Sequence, residues 1–408
     1  MKKMLSLAAA VALVALVVTS ASAGRPEYKA GELFCKVGAK STDFSAKLAS
    51  AGAYVKRNSL QRGWAVVAVA PGSERALAKQ LGCDLNTLYY PTGINGEFVG
   101  TLATVNDPWS SYQLTWDGNQ KVGNFAAVQA TAAWDVTDGS GATIAVIDTG
   151  YTTAAGDSPE NLLQGYDFAN NDADTTDHNG HGTHVSHTIA EGTNNAVAAA
   201  GLAYGANVLP VKVFPDAGGG ASCADIVDGV SWAADQGANV ANMSLGGSSP
   251  CPGMAEALDA AAAKGMLSVC AAGNDGKGTV SYPAASPGCV AVSALDTQAG
   301  GIESEQLASF SNYGNEIEVT APGVAILQAT CIDQGSGAQC GGWMLSGTSM
   351  ASPHAAAVAG LIFAGSASST VSVDAVRDQL SATAKDLGSA GWDNKFGNGL
   401  VQAYDALQ

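Results

Sequence analysis

From about residue 140 onward, short apolar runs alternate along the chain with segments whose apolar residues have helical spacing. The apolar runs are residues 143–148, 208–214, 240–245, 267–273 and 290–295. Nearly continuous apolar strands are typical of a parallel sheet that is covered by helices on both faces. The helical segments are residues 184–190, 224–234, 254–263, 350–363 and 373–384. This alternation predicts an α/β domain with a doubly wound, mostly parallel sheet.

A smaller unit precedes this domain, within residues 24–104. Its predicted order is strand, helix, strand, helix, at residues 32–37, 42–51, 64–69 and 73–81. Ser73 is a suitable cap for the second helix, and Gly82 is a suitable residue to end it. Residues 91–104 are polar and contain glycine, which is typical of a linker. The sequence therefore predicts a small α+β unit joined to the larger domain.

The first residues have the composition of a secretory signal. Lys2 and Lys3 precede an apolar run at residues 5–18, and Ala21-Ser22-Ala23 supplies small residues for cleavage. A membrane anchor is the alternative, but a spanning helix needs about 20 apolar residues and this run is shorter. We therefore expect residues 1–23 to be removed and the protein to be secreted, with no membrane partner.

Eight cysteines fit an extracellular location, because disulfides persist in oxidising compartments. Two of them, Cys35 and Cys83, lie in the small unit. We expect the other six to pair in sequence order, and the short spacing of the last two favours one small loop. These six are Cys223, Cys251, Cys270, Cys289, Cys331 and Cys340.

Charge is distributed unevenly between the two parts of the chain. Residues 24–104 hold 10 basic and 6 acidic residues, a net charge of +4. Residues 105–408 hold 7 basic and 30 acidic residues, a net charge of −23. A domain this acidic repels phosphates, which argues against a nucleic-acid partner. The opposite charge of the small unit suggests that it docks on the larger domain, although an acidic surface also keeps a secreted protein soluble.

Asp148 ends the first predicted strand of the larger domain, in the sequence Asp148-Thr149-Gly150. Active sites of open α/β sheets lie at such strand ends. An ordinary turn after a strand is the alternative interpretation. An aspartic protease is another, but its carboxylate pair requires a second motif of this kind. The chain has only one.

Four of the five histidines fall within residues 178–187, and the fifth is His354. A histidine that acts as a general base is therefore expected in this stretch or at His354. A metal site is the alternative, because His181, His184 and His187 repeat every third residue. On a helix, however, such positions fan out around the axis and do not converge well on one ion. The stretch also lacks the His-Glu-x-x-His pattern of zinc proteases.

Ser349 lies where a predicted apolar helix begins, within Gly347-Thr348-Ser349-Met350-Ala351. A serine at such a position has its hydroxyl near unpaired backbone N–H groups and the positive end of the helix dipole. This setting favours an oxyanion that develops beside the serine. A simple helix-capping serine is the alternative, and the sequence does not match the Gly-x-Ser-x-Gly turn of α/β-hydrolases.

The three motifs occur in the order Asp, His, Ser, and together they resemble the signatures of the subtilisin-like peptidases. The resemblance extends from about residue 106 to residue 400. It implies that Ser349 is the nucleophile, that His181 takes and returns its proton, and that Asp148 orients His181. It also implies a structural role for His184. The family's prosegment is more loosely similar to residues 24–104.

The resemblance further implies an oxyanion hole and a specificity pocket. Asn274, in Ala271-Ala272-Gly273-Asn274, is similar to the family's oxyanion-hole donor, although an Asn-Asp-Gly turn is the alternative. Two segments resemble the walls of the pocket, namely Ser244-Leu245-Gly246 and Ala271-Ala272-Gly273. Their apolar character predicts large apolar residues before the scissile bond, and the alternative is Lys or Arg, admitted by the nearby Asp275. Residues 218–220, all glycine, are expected either to pair with the substrate backbone or to form an ordinary loop.

Two positions depart from the family's pattern. The histidine motif continues as Ser186-His187 where the family usually has Ala-Gly, and we expect the bulky His187 to alter the neighbouring packing. The serine helix has Ala357 where the family often has glycine, which favours helix formation.

The resemblance implies three parts: a signal peptide at 1–23, an inhibitory and chaperone-like prosegment at 24–104, and a catalytic domain at 105–408. We expect the chain to remove its own prosegment near residues 100–106 and to act as a monomer. No cofactor is expected for the chemistry. Structural calcium is one interpretation of a loop with four clustered carboxylates, and a solvated acidic loop is the other. These are Asp167, Asp172, Asp174 and Asp177.

We therefore predict a secreted serine endopeptidase that acts on protein and peptide substrates. A non-catalytic binding protein on the same fold is an alternative, but a degraded set of catalytic residues would be its signature. An enzyme that ligates or cyclises peptides through the same residues is a further alternative, which only analysis of the products separates from hydrolysis.

Overall fold

The computed structural model describes residues 25–37, 41–61, 63–92, 95–100, 107–114, 123–299, 306–335, 337–366 and 371–408. The predicted signal peptide lies outside the described residues. The helices are α1 (Ser41–Ser50), α2 (Glu74–Leu81), α3 (Ser110–Leu114), α4 (Asn124–Ala127), α5 (Ala130–Trp134), α6 (His181–Ala190), α7 (Cys223–Asp235), α8 (Met254–Ala263), α9 (Thr348–Gly365) and α10 (Val373–Ala382).

The strands, like the helices, are numbered in chain order over the described residues. They are β1 (Tyr28–Lys36), β2 (Tyr54–Asn58), β3 (Trp64–Ala68), β4 (Asp84–Pro91), β5 (Asn95–Gly100), β6 (Thr143–Asp148), β7 (Asn161–Leu162), β8 (Tyr166–Asp167), β9 (Asn207–Lys212), β10 (Ala221–Ser222), β11 (Val240–Met243), β12 (Leu245–Gly246), β13 (Leu267–Ala271), β14 (Cys289–Leu295), β15 (Ile317–Pro322), β16 (Ile326–Asp333) and β17 (Ala338–Ser346).

The larger domain is built on a sheet in the order β15-β14-β13-β11-β6-β9-β7, with β8 also beside β9. Its strand pairs are parallel. All five predicted strands lie in this sheet, and the five predicted helices correspond to α6 through α10. The predicted doubly wound α/β fold is therefore confirmed. Strands β15, β16 and β17 were not predicted.

Side chains of β6 alternate between two cores, one on each face of the sheet. Ile144 and Val146 belong to the core formed with α6 and α9, whereas Ala145 and Ile147 belong to the core formed with α7 and α8. Helix α9 is buried from Thr348 to Ile362, which explains why it is apolar all round. A Cβ atom at Gly360 would lie 2.6 Å from a methyl group of Ile144, so α9 approaches the sheet closely.

The small unit has an antiparallel sheet in the order β4-β1-β3-β2. The predicted order of strand, helix, strand, helix is thus incomplete, because β2 and β4 were missed. Both carry too few apolar residues in alternation to be recognised as strands. One face of β1 packs inside the unit through Leu33 and Cys35, and Phe34 on the other face packs against the larger domain.

The predicted linker at residues 91–104 is also corrected. Residues 95–100 form β5, which pairs with β17 in a three-stranded antiparallel sheet, β16-β17-β5. The glycine and polar composition concealed this edge strand. Among the described residues, none of the helices combines the length and the apolar character needed to span a bilayer.

Four disulfides connect all eight cysteines. The later six pair in sequence order as predicted, and the two early cysteines bond to each other. The pairs are Cys35–Cys83, Cys223–Cys251, Cys270–Cys289 and Cys331–Cys340.

Candidate active site

Asp148 and His181 meet at the carboxyl edge of the main sheet. Asp148 is the last residue of β6, His181 is the first residue of α6, and both side chains are buried. The Nδ1 atom of His181 lies 2.7 Å from Oδ1 of Asp148. A carboxylate accepts hydrogen bonds, so Nδ1 is the donor in this bond, and Nε2 is the ring nitrogen left for another partner. This Nε2 atom has no hydrogen-bond partner among the described residues.

Two glycines allow α6 to begin so close to β6. Gly180 precedes the helix with a φ of 92°, in the left-handed region. A Cβ atom at Gly182 would lie 2.4 Å from the carbonyl oxygen of Gly150. Larger residues at either position would push His181 away from Asp148.

Ser349 is the second residue of α9, and its side chain is buried. Its hydroxyl donates to the carbonyl oxygen of Ser244 at 2.9 Å and lies 2.6 Å from the hydroxyl of Thr92. Its backbone N–H donates to the carbonyl oxygen of Thr92 at 3.2 Å. The structure therefore places Ser349 against the end of the small unit, and the Ser349 hydroxyl makes its hydrogen bonds with Ser244 and Thr92.

Asn274 follows the strand β13 and is oriented by the residue before Ser349. Its Oδ1 atom accepts hydrogen bonds from the backbone N–H and the hydroxyl of Thr348, each at 2.9 Å. These donors fix which end of the amide is the oxygen, so the Nδ2 donor faces the other way. The Thr348 hydroxyl also accepts from the Gly273 backbone N–H at 3.0 Å. The amide of Asn274 is thus preorganised beside the start of α9.

The segment Ser244-Leu245-Gly246 contacts both Ser349 and the small unit. Ser244 donates its hydroxyl to the Ser349 carbonyl at 2.8 Å, and its own carbonyl accepts from the Thr92 N–H at 3.3 Å. Leu245 and Gly246 form β12, which pairs with Pro91 and Tyr90 of β4. This predicted wall therefore lies beside an extended chain.

The other predicted wall, Ala271-Ala272-Gly273, ends β13 and leads to Asn274. Ala271 and Ala272 are fully buried. Gly273 has a φ of 107°, and a Cβ atom there would lie 2.3 Å from the hydroxyl of Ser281. Glycine is therefore required at the turn that positions Asn274.

Strand β10 pairs with β4 on the side opposite β12. Its two residues lie opposite Tyr89 and Leu88. The pairing edge that was predicted at residues 218–220 is instead formed by Ala221 and Ser222, the two residues that follow it. Gly220 still matters, because a Cβ atom there would lie 2.8 Å from the Tyr89 carbonyl oxygen. Strand β4 lies between β10 and β12 as the central strand of three.

Tyr89 fills an apolar pocket that the sequence did not reveal. Its side chain is fully buried, and its hydroxyl donates to the Ser249 carbonyl at 2.7 Å. A Cβ atom at Gly247 would lie 3.0 Å from its ring. Burial raises the pKa of the Tyr89 hydroxyl, so it remains a donor. In the sequence, the pair Tyr89-Tyr90 before Pro91 was the one feature that could have indicated this pocket.

The remaining buried histidines have partners of their own. The Nε2 atom of His184 lies 3.0 Å from the Ile326 carbonyl, in agreement with a structural role, and burial lowers the pKa of His184 to about 3. His354 bonds to the Met350 carbonyl and to Asn124. Within the described parts of the chain, no group of three or more His, Cys, Asp or Glu side chains is arranged to hold a metal ion.

The four carboxylates of the acidic loop accept hydrogen bonds from backbone N–H groups nearby in the chain. The carboxylate of Asp167 accepts from the N–H groups of Ala169 and Asn170, and that of Asp177 accepts from Asn179 and Gly180. Asp172 and Asp174 likewise accept from N–H groups two residues further along. These carboxylates stabilise the turns of the loop itself.

The chain matches a family model and curated relatives. The model of the subtilase family matches residues 139–399. Thermitase of Thermoactinomyces vulgaris is 37% identical over 75% of this chain and 99% of its own length. Subtilisin Savinase of Lederbergia lenta is 40% identical over 69% of this chain and 96% of its own length.

Two solved structures are similar to this chain. A protease of Pseudoalteromonas arctica has a TM-score of 0.64 and 31% identity, covering 75% of this chain and 99% of that one. Fervidolysin of Fervidobacterium pennivorans, a keratinolytic enzyme related to subtilisin, has a TM-score of 0.73 and 26% identity, covering 94% of this chain and 61% of that one. The chain therefore belongs to the subtilase family and is a serine-type endopeptidase.

Proposed function

We propose that Asp148, His181 and Ser349 form the catalytic triad of a secreted endopeptidase that processes its own precursor. The observation that carries this proposal is the 2.7 Å bond between Asp148 and His181, which leaves Nε2 of His181 as a free base. Ser349 lies at the start of α9, where a peptide carbonyl already accepts from its N–H.

The proposed reaction is acyl transfer in two steps. Nε2 of His181 takes the Ser349 hydroxyl proton as the oxygen attacks the substrate carbonyl carbon, and Asp148 stabilises the imidazolium. The resulting oxyanion accepts from the Ser349 N–H and from Nδ2 of Asn274. The C–N bond breaks, the amine leaves with the proton from His181, and a water molecule then hydrolyses the ester by the same route. All of these roles belong to the chain's own residues.

The small unit is proposed to act as an intramolecular inhibitor. Its strand β4 occupies the position of a substrate between β10 and β12, and Thr92 presents its carbonyl to Ser349. We therefore place the self-processed bond between Thr92 and Gly93. The site expected near residues 100–106 lies almost entirely outside the described residues. The prosegment would then span residues 24–92.

Ion pairs between the small unit and the larger domain support tight inhibition. Arg57 of the small unit contacts two buried carboxylates on α7, Asp225 at 2.5 Å and Asp228. Lys36 bonds to Glu256 on α8 at 2.9 Å. These ion pairs join the basic small unit to the acidic larger domain, as the opposite net charges of the two parts suggested.

The test is the intact mass of the secreted product, with the wild type beside Ser349→Ala. We expect the wild type to begin at Gly93 and the variant to keep its prosegment. Retention of the prosegment by both proteins would overturn the proposed self-processing. If both lose it, a host protease makes the cut, and cleavage of a peptide ending in Tyr-Tyr-Pro-Thr before the scissile bond decides whether Ser349 is the nucleophile.

A further inference from the structure

A second buried hydrogen bond joins the same two segments as the bond between Asp148 and His181. Tyr151 lies three residues after Asp148, and His187 lies six residues after His181 on α6. The Tyr151 hydroxyl is 3.0 Å from Nε2 of His187, and the two rings meet edge to face with centroids 5.6 Å apart. Tyr151 is 5% exposed and His187 is fully buried.

The partners of His187 fix the direction of this bond. Its Nδ1 atom lies 2.8 Å from the Ala329 carbonyl on β16, and a carbonyl only accepts. Nδ1 therefore carries the proton, and Nε2 of the neutral ring accepts from the Tyr151 hydroxyl, which also lies 3.4 Å from the Asp157 carbonyl oxygen. Burial lowers the pKa of His187 to about 4, which keeps the ring neutral, as this arrangement requires. His187 thus connects α6 to both the Asp148 turn and β16.

The other bonds between the turn and α6 lie near the start of the helix. The Gly182 N–H donates to the Thr149 hydroxyl at 2.8 Å, and the Thr152 N–H donates to the Thr183 hydroxyl at 3.1 Å. His187 is six residues from His181, or about 9 Å along the axis, and points about 120° away around it. A contact at such a distance and direction restrains both the tilt and the rotation of α6, in addition to the bonds of His184 to the carbonyls of Ile326 and Trp343.

We propose that Tyr151 and His187 are positioning residues for His181, and that they act by fixing the orientation of α6. This inference rests on the proposed triad, because it concerns the direction in which Nε2 of His181 points. Reacting groups need nearly correct alignment, and a displacement of about 1 Å can cost about 100-fold in rate. It also gives a role to His187, which stands where the family usually has glycine.

The test uses the secreted, self-processed enzyme and the variant Tyr151→Phe, which removes one hydroxyl and keeps the ring. We expect kcat for a peptide substrate to fall about fivefold with KM unchanged, the equivalent of one lost hydrogen bond. We also expect the downfield proton resonance of His181 Nδ1–H to shift. Tyr166→Phe is the matched control, because the Tyr166 hydroxyl bonds to Asn171 at the surface.

A second variant, His187→Asn, tests whether the two residues act as a pair. Asparagine can still donate to the Ala329 carbonyl, but its shorter side chain has no atom at the position of Nε2, which accepts from Tyr151. We expect the double variant to lose no more activity than either single variant, since the two changes remove the same bond. If the two losses of activity multiply in the double variant, Tyr151 and His187 do not act as a pair.

Two further outcomes are decisive. If Tyr151→Phe lowers Tm but leaves kcat and the His181 resonance unchanged, the pair is only structural and the inference is wrong. If the wild type itself shows no cleavage that depends on Ser349, the proposed function fails before this question arises.

Discussion

The backbone N–H of Ser349 donates to the carbonyl oxygen of Thr92, 3.2 Å away. The Thr92 N–H in turn donates to Ser244, so the end of the small unit is held on both sides of its carbonyl. In the proposed precursor, these two contacts would hold the end of the small unit as a bound peptide that marks the cleft.

Replacement of Thr92 by valine should accelerate self-processing. The Thr92 hydroxyl, 2.6 Å from the Ser349 hydroxyl, helps to hold the proposed nucleophile on Ser244 while Nε2 of His181 has no partner. Loss of one such bond, about 1 kcal/mol, should raise the rate about fivefold. The measurement is the mass of the precursor over time. Thr92→Ser keeps the hydroxyl and should stay slow, and equal rates for valine and threonine would refute the idea.

Asn274→Ala should lower kcat and leave KM nearly unchanged. The variant removes the proposed oxyanion donor, and the expected loss is about 10²–10³-fold, a range borrowed from one such donor in subtilisin. Steady-state kinetics on a peptide substrate measure it. Thr348→Val should reproduce part of the loss, because Thr348 orients the amide. A large change confined to KM would contradict the assignment.

Arg57→Ala should weaken inhibition by the isolated prosegment about 100-fold, measured as the inhibition constant against the processed enzyme. The change leaves the buried Asp228 without the Arg57 cation and leaves Asp225 with Lys29, 3.7 Å away, as its remaining cation, at a cost of about 3 kcal/mol. Lys36→Ala is the control, because its pair with Glu256 is exposed and should matter by about threefold at most. Equal effects of the two substitutions would show that burial of the pair is unimportant.

Peptide substrates should show selection at the fourth residue before the cut. Tyr89 occupies this position and is fully buried, with its hydroxyl on the Ser249 carbonyl. We expect kcat/KM to fall about fivefold when phenylalanine replaces this tyrosine and about 100-fold when alanine does. A peptide series based on residues 87–96 measures this. Equal kcat/KM values for the three peptides would show that the Tyr89 pocket does not contribute to specificity.

The sequence predicted the parts of the fold that depend on local pattern. The five apolar strands and five helices of the main domain are recognisable because each carries its own periodicity. Asp148 was recognised at the end of a predicted strand, His181 within a stretch that holds four of the five histidines, and Ser349 at the start of a predicted helix. An aspartate, a histidine and a serine together match the residue types of a serine-peptidase triad.

Other features depend on contacts between distant segments and leave no local pattern. Strands β10 and β12 have two residues each, and both pair with β4. Strand β4 itself alternates poorly, because Asn86 is buried to bond with Glu32 and Ala224 of two other segments. The bond between Tyr151 and His187 joins residues 36 apart, and neither residue alone signals it.

The positions of the disulfides bear on the fate of the small unit after cleavage. Cys35–Cys83 lies wholly before Thr92, and the other three bonds lie wholly after it. Once the bond after Thr92 is cut, no covalent link retains the released piece. That piece carries its own internal crosslink, which limits how far it can unfold. It would therefore leave as a diffusible, still-folded competitor able to occupy the cleft of a neighbouring molecule. The end of inhibition would then depend on its dilution or its destruction.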